Sequence, residues 1–195
     1  MREIRALLPE IDLITLEAWP ALEAPEETGA TFEENALQKA KYYAAATGEL
    51  TVAEDSGLEI DALDGAPGVD SARYGGADLP YPEKFSLIYE AIAQRRAEAP
   101  AHRSFSEGER FVCALALVKG DRVLFTARGT VEGTIAPEPR GAGGFGYDPI
   151  FYYPPYGCTL AEATQGQKSA VSHRGAAFRQ LRAFLLRVSS EHALS

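Results

Sequence analysis

Residues 50–58, with the sequence LTVAEDSGL, constrain the fold more than any other stretch of this chain. Short apolar runs that end in turn-forming residues are typical of central strands, so 50–53 predicts a buried strand that Ser56-Gly57 ends. Ligands of open α/β sheets bind just beyond the carboxyl ends of such strands. Glu54 and Asp55 stand at that point, where two carboxylates can hold a hard cation or activate a water molecule. The alternative is a solvated turn, which Asp-Ser-Gly favours for conformational reasons alone.

Length and composition predict a single globular domain over residues 1–195, with room for two lobes. No run approaches transmembrane length, and the N-terminus has no apolar signal-peptide core. Cys113 and Cys158 match neither a zinc spacing nor a disulfide framework, which favours a reducing cytoplasm. The net charge of −9 argues against non-specific binding of nucleic acid, but it allows a small anionic ligand held by a metal and clustered cations.

The most regular pattern in the chain predicts a helix at 31–47. Thr31 and Glu34 match a capping box, in which each side chain bonds the other residue's backbone amide. Asn35 and Lys39 lie four residues apart and share a polar face, separate from the apolar stripe. Glu34 is therefore explained by capping, whereas Lys39 is either an ordinary surface lysine or part of a site.

Shorter patterns predict the remaining elements. The predicted strands are 11–16, 58–63, 111–118, 122–127 and 130–135, and the predicted helices are 1–8, 82–99 and a closing helix after Ser172. Residues 141–146 match G-x-G-x-x-G, but no helix pattern follows, so we reject a dinucleotide fingerprint. Four glycines in this segment still indicate a loop whose backbone can come close to a ligand.

Lys168, His173 and Arg174 gather around the start of the closing helix, where Ser172 is the expected N-cap. Free amides at a helix N-terminus favour anions. Cations are unfavourable at that end of the helix dipole, so the cluster indicates a ligand rather than a contribution to stability. The alternative is a solvated helix start with ordinary surface charges.

Taken together and in this order, the motifs resemble one family, the inosine-triphosphate/xanthosine-triphosphate pyrophosphatases. The segments that carry the resemblance are EETG at 26–29, TFEENALQKA at 31–40, EDSGL at 54–58, GAPG at 65–68, SARY at 71–74, GGFGYDPIF at 143–151 and KSAVSHRG at 168–175. The Phe-Gly-Tyr-Asp-Pro loop combined with Ser-His-Arg is the most specific part. The resemblance implies an α/β fold, with an elongated mixed β-sheet in two lobes flanked by helices and a substrate cleft between the lobes. It also implies a homodimer.

The activity that the resemblance implies is Mg²⁺-dependent hydrolysis of the triphosphates of inosine, deoxyinosine and xanthosine (ITP, dITP and XTP) to the monophosphate and pyrophosphate. Such an enzyme removes deaminated purines from the nucleotide pool, and neither a nucleic acid nor a membrane is implied as a partner. Asp55 would be the general base and a metal ligand, and Glu27 the other Mg²⁺ ligand. The implied substrate contacts are Lys39 at the phosphates, Ser56, the base-stacking Phe145 with Gly146, Tyr147 and Asp148 around it, and Lys168, His173 and Arg174 at the purine edge.

The chain departs from that family at its beginning. Family members start with a strand and a Ser/Thr-Gly-Asn-x-x-Lys loop, and residues 2–8 match the helix that follows this loop. Either a start codon assigned too late or a true truncation explains the difference; a truncation would leave backbone groups of the core unpaired. Two functions therefore stay open: the enzyme, and an inactive nucleotide-binding or dimerisation partner of the same family. Gln167 is a smaller departure, because the family often has an acid there.

Overall fold

The computed structural model describes residues 2–99 and 108–193. In these ranges the helices are α1 (Arg2–Leu7), α2 (Phe32–Thr47), α3 (Tyr81–Glu98), α4 (Gln165–Val171) and α5 (His173–Ala193). The strands are β1 (Thr51–Ile60), β2 (Gly108–Lys119), β3 (Arg122–Ile135), β4 (Phe151–Tyr153) and β5 (Cys158–Thr159). They form one antiparallel sheet in the order β1-β2-β3-β4-β5. The predicted α/β class, with a sheet flanked by helices, is confirmed. The resemblance implies a mixed sheet, whereas the sheet formed by the described residues is antiparallel.

Chain contacts divide the protein into two compact units. The first comprises Met1–Asp55, Cys113–Thr130 and Ser172–Ser195, and the second comprises Ser56–Val112 and Val131–Val171. The core of the first unit contains buried side chains of β2 and α5, among them Leu115, Leu117, Phe178 and Leu181. The core of the second unit contains Leu58, Ile60, Phe85 and Ile88, together with Phe111 and Phe151, whose rings stack 4.5 Å apart. A single pyrophosphatase domain over 1–195 stays a prediction.

Strand β1 continues through the two acids. The predicted strands 50–53 and 58–63 belong to one strand of 10 residues, Thr51–Ile60, so the predicted break at Ser56-Gly57 is wrong. Pairing with the neighbouring β2 keeps the backbone extended and overrides the local turn preference of Asp-Ser-Gly. Asp55 therefore lies inside the strand rather than at its end, and it is only 9% exposed.

The predicted strand at 11–16 is wrong. Only a short 3-10 turn, Leu16–Ala18, forms in this region, and Ile14 is 62% exposed. A short apolar run makes a strand only where a neighbour offers backbone hydrogen bonds. Residues 11–14 instead line one side of a cavity of about 620 Å³, which residues 50–54 of the β1 region line as well. The apolar pattern therefore did not indicate a hydrogen-bonding partner.

The capping box of α2 is confirmed. Thr31 Oγ1 accepts a hydrogen bond from the Glu34 amide at 3.2 Å, and Glu34 Oε2 accepts one from the Thr31 amide at 3.3 Å. Glu34 Oε2 also accepts a bond from the Ala30 amide at 2.7 Å. At the other end Gly48 takes the left-handed conformation with φ of 72°, which ends the helix without strain. The helix that carries Asn35 and Lys39 is thus fixed at both termini.

Replacing Glu34 by alanine (Glu34→Ala) is expected to lower the free energy of unfolding by about 1 kcal/mol, because it removes half of the capping box. Urea titration monitored by circular dichroism measures this loss. Glu33→Ala is the matched control, since Glu33 lies in the same helical turn and pairs with Arg128 at an exposed site. A large loss of catalytic rate in Glu34→Ala at unchanged stability would contradict a purely structural role.

The other predicted elements differ mainly in their extent. Segments 122–127 and 130–135 form the single strand β3, and α4 was not predicted. Ser172 Oγ accepts a hydrogen bond from the Gly175 amide at 2.8 Å, which confirms Ser172 as the N-cap of α5. Among the described residues, no helix is long and apolar enough to cross a membrane.

Candidate active site

One lysine in the first unit holds two carboxylates together. Lys39 Nζ donates to Glu27 Oε1 at 2.5 Å and to Asp55 Oδ1 at 2.9 Å. Burial alone would lower the pKa of Lys39, but the hydrogen bonds to Glu27 and Asp55 outweigh it, so the net shift is upward. Lys39 is therefore a charged group at the centre of a cluster, which excludes the alternative of an ordinary surface lysine.

Asn35 fixes the other oxygen of Asp55. This side chain is fully buried, and its Nδ2 donates to Asp55 Oδ2 at 3.1 Å. Its Oδ1 accepts a hydrogen bond from the Gly29 amide at 2.7 Å, so the amide links the loop before α2 to strand β1. Asn35 and Lys39 lie on one helical face, as the spacing predicts, and together they hold both oxygens of Asp55.

The residues around Lys39 fit a magnesium ion. Glu27 Oε1 and Asp55 Oδ1 converge on one cation, so the same oxygens can face a metal if Lys39 turns aside. Mg²⁺ in proteins is commonly held by one or two carboxylates, with waters and substrate phosphates as the other ligands. Within 2–99 and 108–193, no group of three or more His, Cys, Asp or Glu side chains has the arrangement of a complete metal cage. Two carboxylates are thus available for a metal, and its other ligands would come from substrate and water.

Glu54 has different partners from its neighbour Asp55, as expected for consecutive residues on a strand. Its Oε1 accepts a hydrogen bond from Arg174 Nε at 2.7 Å, and its Oε2 accepts one from Cys113 Sγ at 2.9 Å. Arg174 is the second residue of α5, and Cys113 is a fully buried residue of β2. Glu54 is therefore tied to the start of α5, whereas Asp55 is tied to α2.

A second cluster, in the second unit, is centred on Asp148. This nearly buried carboxylate accepts a hydrogen bond from the Phe145 amide at 2.7 Å and forms an ion pair with Lys168 Nζ. The Lys168 ammonium also lies over the Phe145 ring, 4.1 Å from its centroid. Gly144 has φ of 73°, and a Cβ there would overlap Asp148 Oδ2, so only glycine fits at this turn. Phe145 as a whole residue is 63% exposed, which leaves room for a base to stack on its ring.

Tyr147 is buried beneath the loop that carries Phe145 and does not face solvent. Its hydroxyl donates to the Ser71 carbonyl at 2.8 Å, and its ring meets that of Tyr81 edge-on at 5.2 Å. Burial is the main cause that raises the pKa of Tyr147, so the hydroxyl stays protonated and remains a donor. Gly146, with φ of 63°, turns the chain between the exposed Phe145 and the buried Tyr147.

The predicted site residues lie partly in the first unit and partly in the second. Glu27, Lys39 and Asp55 lie together in the first unit, and Phe145, Gly146, Tyr147, Asp148 and Lys168 lie together in the second. Lys168 belongs to α4, whereas His173 and Arg174 begin α5 in the first unit, so the three are not neighbours on one helix. Ser56 follows Asp55 on β1 and is partly exposed.

Two residues, one in the Lys39 cluster and one beside it, were not predicted as site residues from the sequence. Asn35 shared a polar face with Lys39, and that spacing was a signal that could have identified it. Cys113 gave no such signal, because a cysteine in an apolar strand is indistinguishable from any small core residue.

Comparison with known proteins supports, over nearly the whole chain, the family that the sequence motifs resemble. The model of the Ham1 family matches residues 1–184. A dITP/XTP pyrophosphatase of Exiguobacterium sibiricum is 45% identical over 185 residues, which cover 94% of this chain and 90% of the relative. A dITP/XTP pyrophosphatase of Rhodospirillum centenum is 49% identical over 161 residues, which cover 82% of this chain and 76% of the relative.

Solved structures agree in fold as well as in sequence. A HAM1 protein from Coxiella burnetii superposes with a TM-score of 0.86 at 38% identity, covering 95% of this chain and 92% of the other. The Ham1 protein of Staphylococcus aureus superposes with a TM-score of 0.81 at 35% identity, covering 94% and 91%. The match of the family model and the identity to these relatives show that this chain belongs to the Ham1 family.

Proposed function

We propose that this chain hydrolyses the deaminated purine triphosphates ITP, dITP and XTP to the monophosphate and pyrophosphate. Relatives with 40% identity or more carry the name dITP/XTP pyrophosphatase, which supports this substrate class. The observation that carries the proposal is the cluster in which Lys39 bridges Glu27 and Asp55. Two carboxylates that can hold a metal, with a lysine beside them, suit the positioning and charge neutralisation on which transfer of a phosphoryl or nucleotidyl group depends.

In the proposed reaction Asp55 accepts the proton of the water that attacks the α-phosphorus. Glu27 and Asp55 would hold Mg²⁺, which when bound supplies charge neutralisation and an acidified water. Asn35 keeps the Asp55 carboxylate in one orientation through Oδ2, so that Oδ1 faces the reacting groups. Lys39 contacts the phosphates and stabilises negative charge that develops on them.

Recognition of the base is assigned to the second cluster and to the start of α5. Phe145 stacks on the purine, and its exposed ring supports this role. Lys168, His173 and Arg174 donate to the purine edge and its 6-oxo group, and Ser56 contacts the substrate. Gly146 and the buried Tyr147 and Asp148 shape the pocket around Phe145. Adenine carries a 6-amino group that would leave these donors unpaired, and such mismatches discriminate strongly.

The assembly and the compartment belong to the same proposal. We expect a homodimer that works in the cytoplasm, where both free cysteines, Cys113 and Cys158, stay reduced. Neither a nucleic acid nor a membrane is needed as a partner for the reaction.

A hydrolysis assay on ITP, dITP, XTP and ATP with detection of pyrophosphate tests the proposal. The 195-residue chain with Mg²⁺ is expected to prefer each deaminated substrate over ATP by about a hundredfold or more in kcat/KM. Full activity excludes the alternative of an inactive nucleotide-binding or dimerisation partner. Absence of pyrophosphate release from all four nucleotides would contradict the enzyme.

A further inference from the structure

The carboxylate of Glu54 takes no part in the Lys39 cluster, although it is adjacent to Asp55 in sequence. Both of its oxygens are engaged, one by Arg174 Nε at 2.7 Å and the other by Cys113 Sγ at 2.9 Å. A carboxylate held at both oxygens by partners on different elements has little rotational freedom. Glu54 is thus a fixed negative charge beside the guanidinium of Arg174.

The position of Arg174 makes a counter-charge necessary. Arg174 is the second residue of α5, and the positive end of the helix dipole disfavours a cation there. Its side chain is only 21% exposed, so water screens this repulsion incompletely. A charge-assisted hydrogen bond to Glu54 offsets the repulsion and determines which way the planar guanidinium faces.

Cys113 donates its hydrogen bond to Glu54 as a neutral thiol. The thiol is fully buried, and burial followed by the Glu54 charge raises the pKa of Cys113, which keeps the S–H protonated. A neutral thiol can donate to the carboxylate without cancelling its charge. The full charge of Glu54 therefore stays available to Arg174.

We infer that Glu54 is a positioning residue for Arg174, and that Cys113 in turn orients Glu54. This inference rests on the proposed function, in which Arg174 donates to the 6-oxo group of the purine. The Glu54 carboxylate then helps to hold the guanidinium in the plane in which its donors face the purine. Glu54 acts on the choice of substrate through Arg174 and does not touch the reacting atoms.

Steady-state kinetics of Glu54→Gln with ITP and ATP test the inference. The loss of a charge-assisted hydrogen bond is expected to raise KM for ITP about tenfold, with a much smaller change in kcat. The ratio of kcat/KM for ITP over ATP should fall by a similar factor, because adenine gains nothing from the aligned donors. Cys113→Ala should show the same changes on a smaller scale, and Cys113→Ser, which keeps a donor, should restore wild-type values.

A double-mutant cycle separates positioning from a general structural defect. In the Arg174→Ala background, Glu54→Gln should leave the ITP-to-ATP ratio unchanged, since the residue that it positions is gone. Additive losses of selectivity, or wild-type kinetics in Glu54→Gln, would overturn the inference. Failure of the wild-type protein to hydrolyse ITP would instead overturn the proposed function, so the two failures are distinguishable. Thermal unfolding of each variant shows whether it is folded.

Discussion

Asp55→Asn is expected to lower kcat for ITP about a thousandfold, the scale at which a missing general base slows a reaction. The asparagine has the size of the aspartate but cannot accept the proton of the attacking water. It also brings an NH₂ group towards Lys39 or Asn35, which both already donate to Asp55. Nucleotide binding should be largely retained, because the proposed base contacts lie on other residues. Pyrophosphate release measures kcat, and calorimetric titration with ITP measures the dissociation constant.

Asp78→Asn is the matched control for this prediction. Asp78 is an exposed residue of the loop before α3, so the same chemical change there should leave kcat and binding as in the wild type. Near-normal kcat in Asp55→Asn would show that another group activates the water. An equal loss in both variants would point to an effect of net charge rather than to a base.

The local part of the site was predictable from the sequence, because its signals lie within a few residues of one another. The capping box placed α2, and the spacing of four placed Asn35 and Lys39 on one face. Their common partner Asp55 is 16 residues beyond Lys39, at the first strand after the helix. The contact between Lys39 and Asp55 was not predicted from spacing; only the family resemblance assigned both residues to one site.

Contacts over a long sequence separation were not predictable. Glu54 meets Cys113 and Arg174, which are 59 and 120 residues away. No local pattern encodes which strand or helix end will lie beside a given side chain. The same limit explains the continuity of β1, because its hydrogen bonds come from β2 and outweigh the turn preference of its own residues.

Segment 11–16 shows that apolar residues alone do not make a strand. Its apolar residues line a cavity with residues of β1 and α5, although Ile14 remains 62% exposed. A strand is defined by its hydrogen-bonding neighbour as much as by its side chains. A short apolar run therefore does not by itself predict the ladder that would make it a strand.

A buried acid in the second unit gives the second prediction with a large effect. Glu109 of β2 is 0% exposed, and neither of its carboxyl oxygens has a hydrogen-bond partner in the described part of the chain. Burial raises the pKa of Glu109 well above its ordinary value. The next residue, Arg110, bonds Asp61 and Glu132, and alternation along the strand places it on the opposite face from Glu109. No described cation therefore compensates the Glu109 charge.

Because the pKa of Glu109 is raised in the folded protein, its ionisation lowers the free energy of unfolding. The folded protein holds the Glu109 proton more tightly than the unfolded chain, whose glutamate has a pKa of about 4.3. The free energy of unfolding is thus unaffected by Glu109 below that value, and it falls as the pH rises from there through the raised pKa of the folded state. The wild-type protein should carry this penalty at neutral and alkaline pH.

Glu109→Leu is expected to raise the free energy of unfolding at pH 8 by about 2 kcal/mol, since it removes an unpaired polar group and fills the same space with an apolar one. At pH 4.5 the gain should be clearly smaller, because the wild-type carboxyl is then protonated in the folded state and still roughly two-fifths protonated in the unfolded state, so most of the pH-dependent penalty is absent. Urea titrations at the two pH values measure the difference, with Glu90→Leu at an exposed position of α3 as the control. Glu109→Gln separates the two contributions, because it removes the charge but keeps an unpaired polar group. If Glu109→Leu changes stability equally at both pH values, the carboxyl is not held protonated by burial.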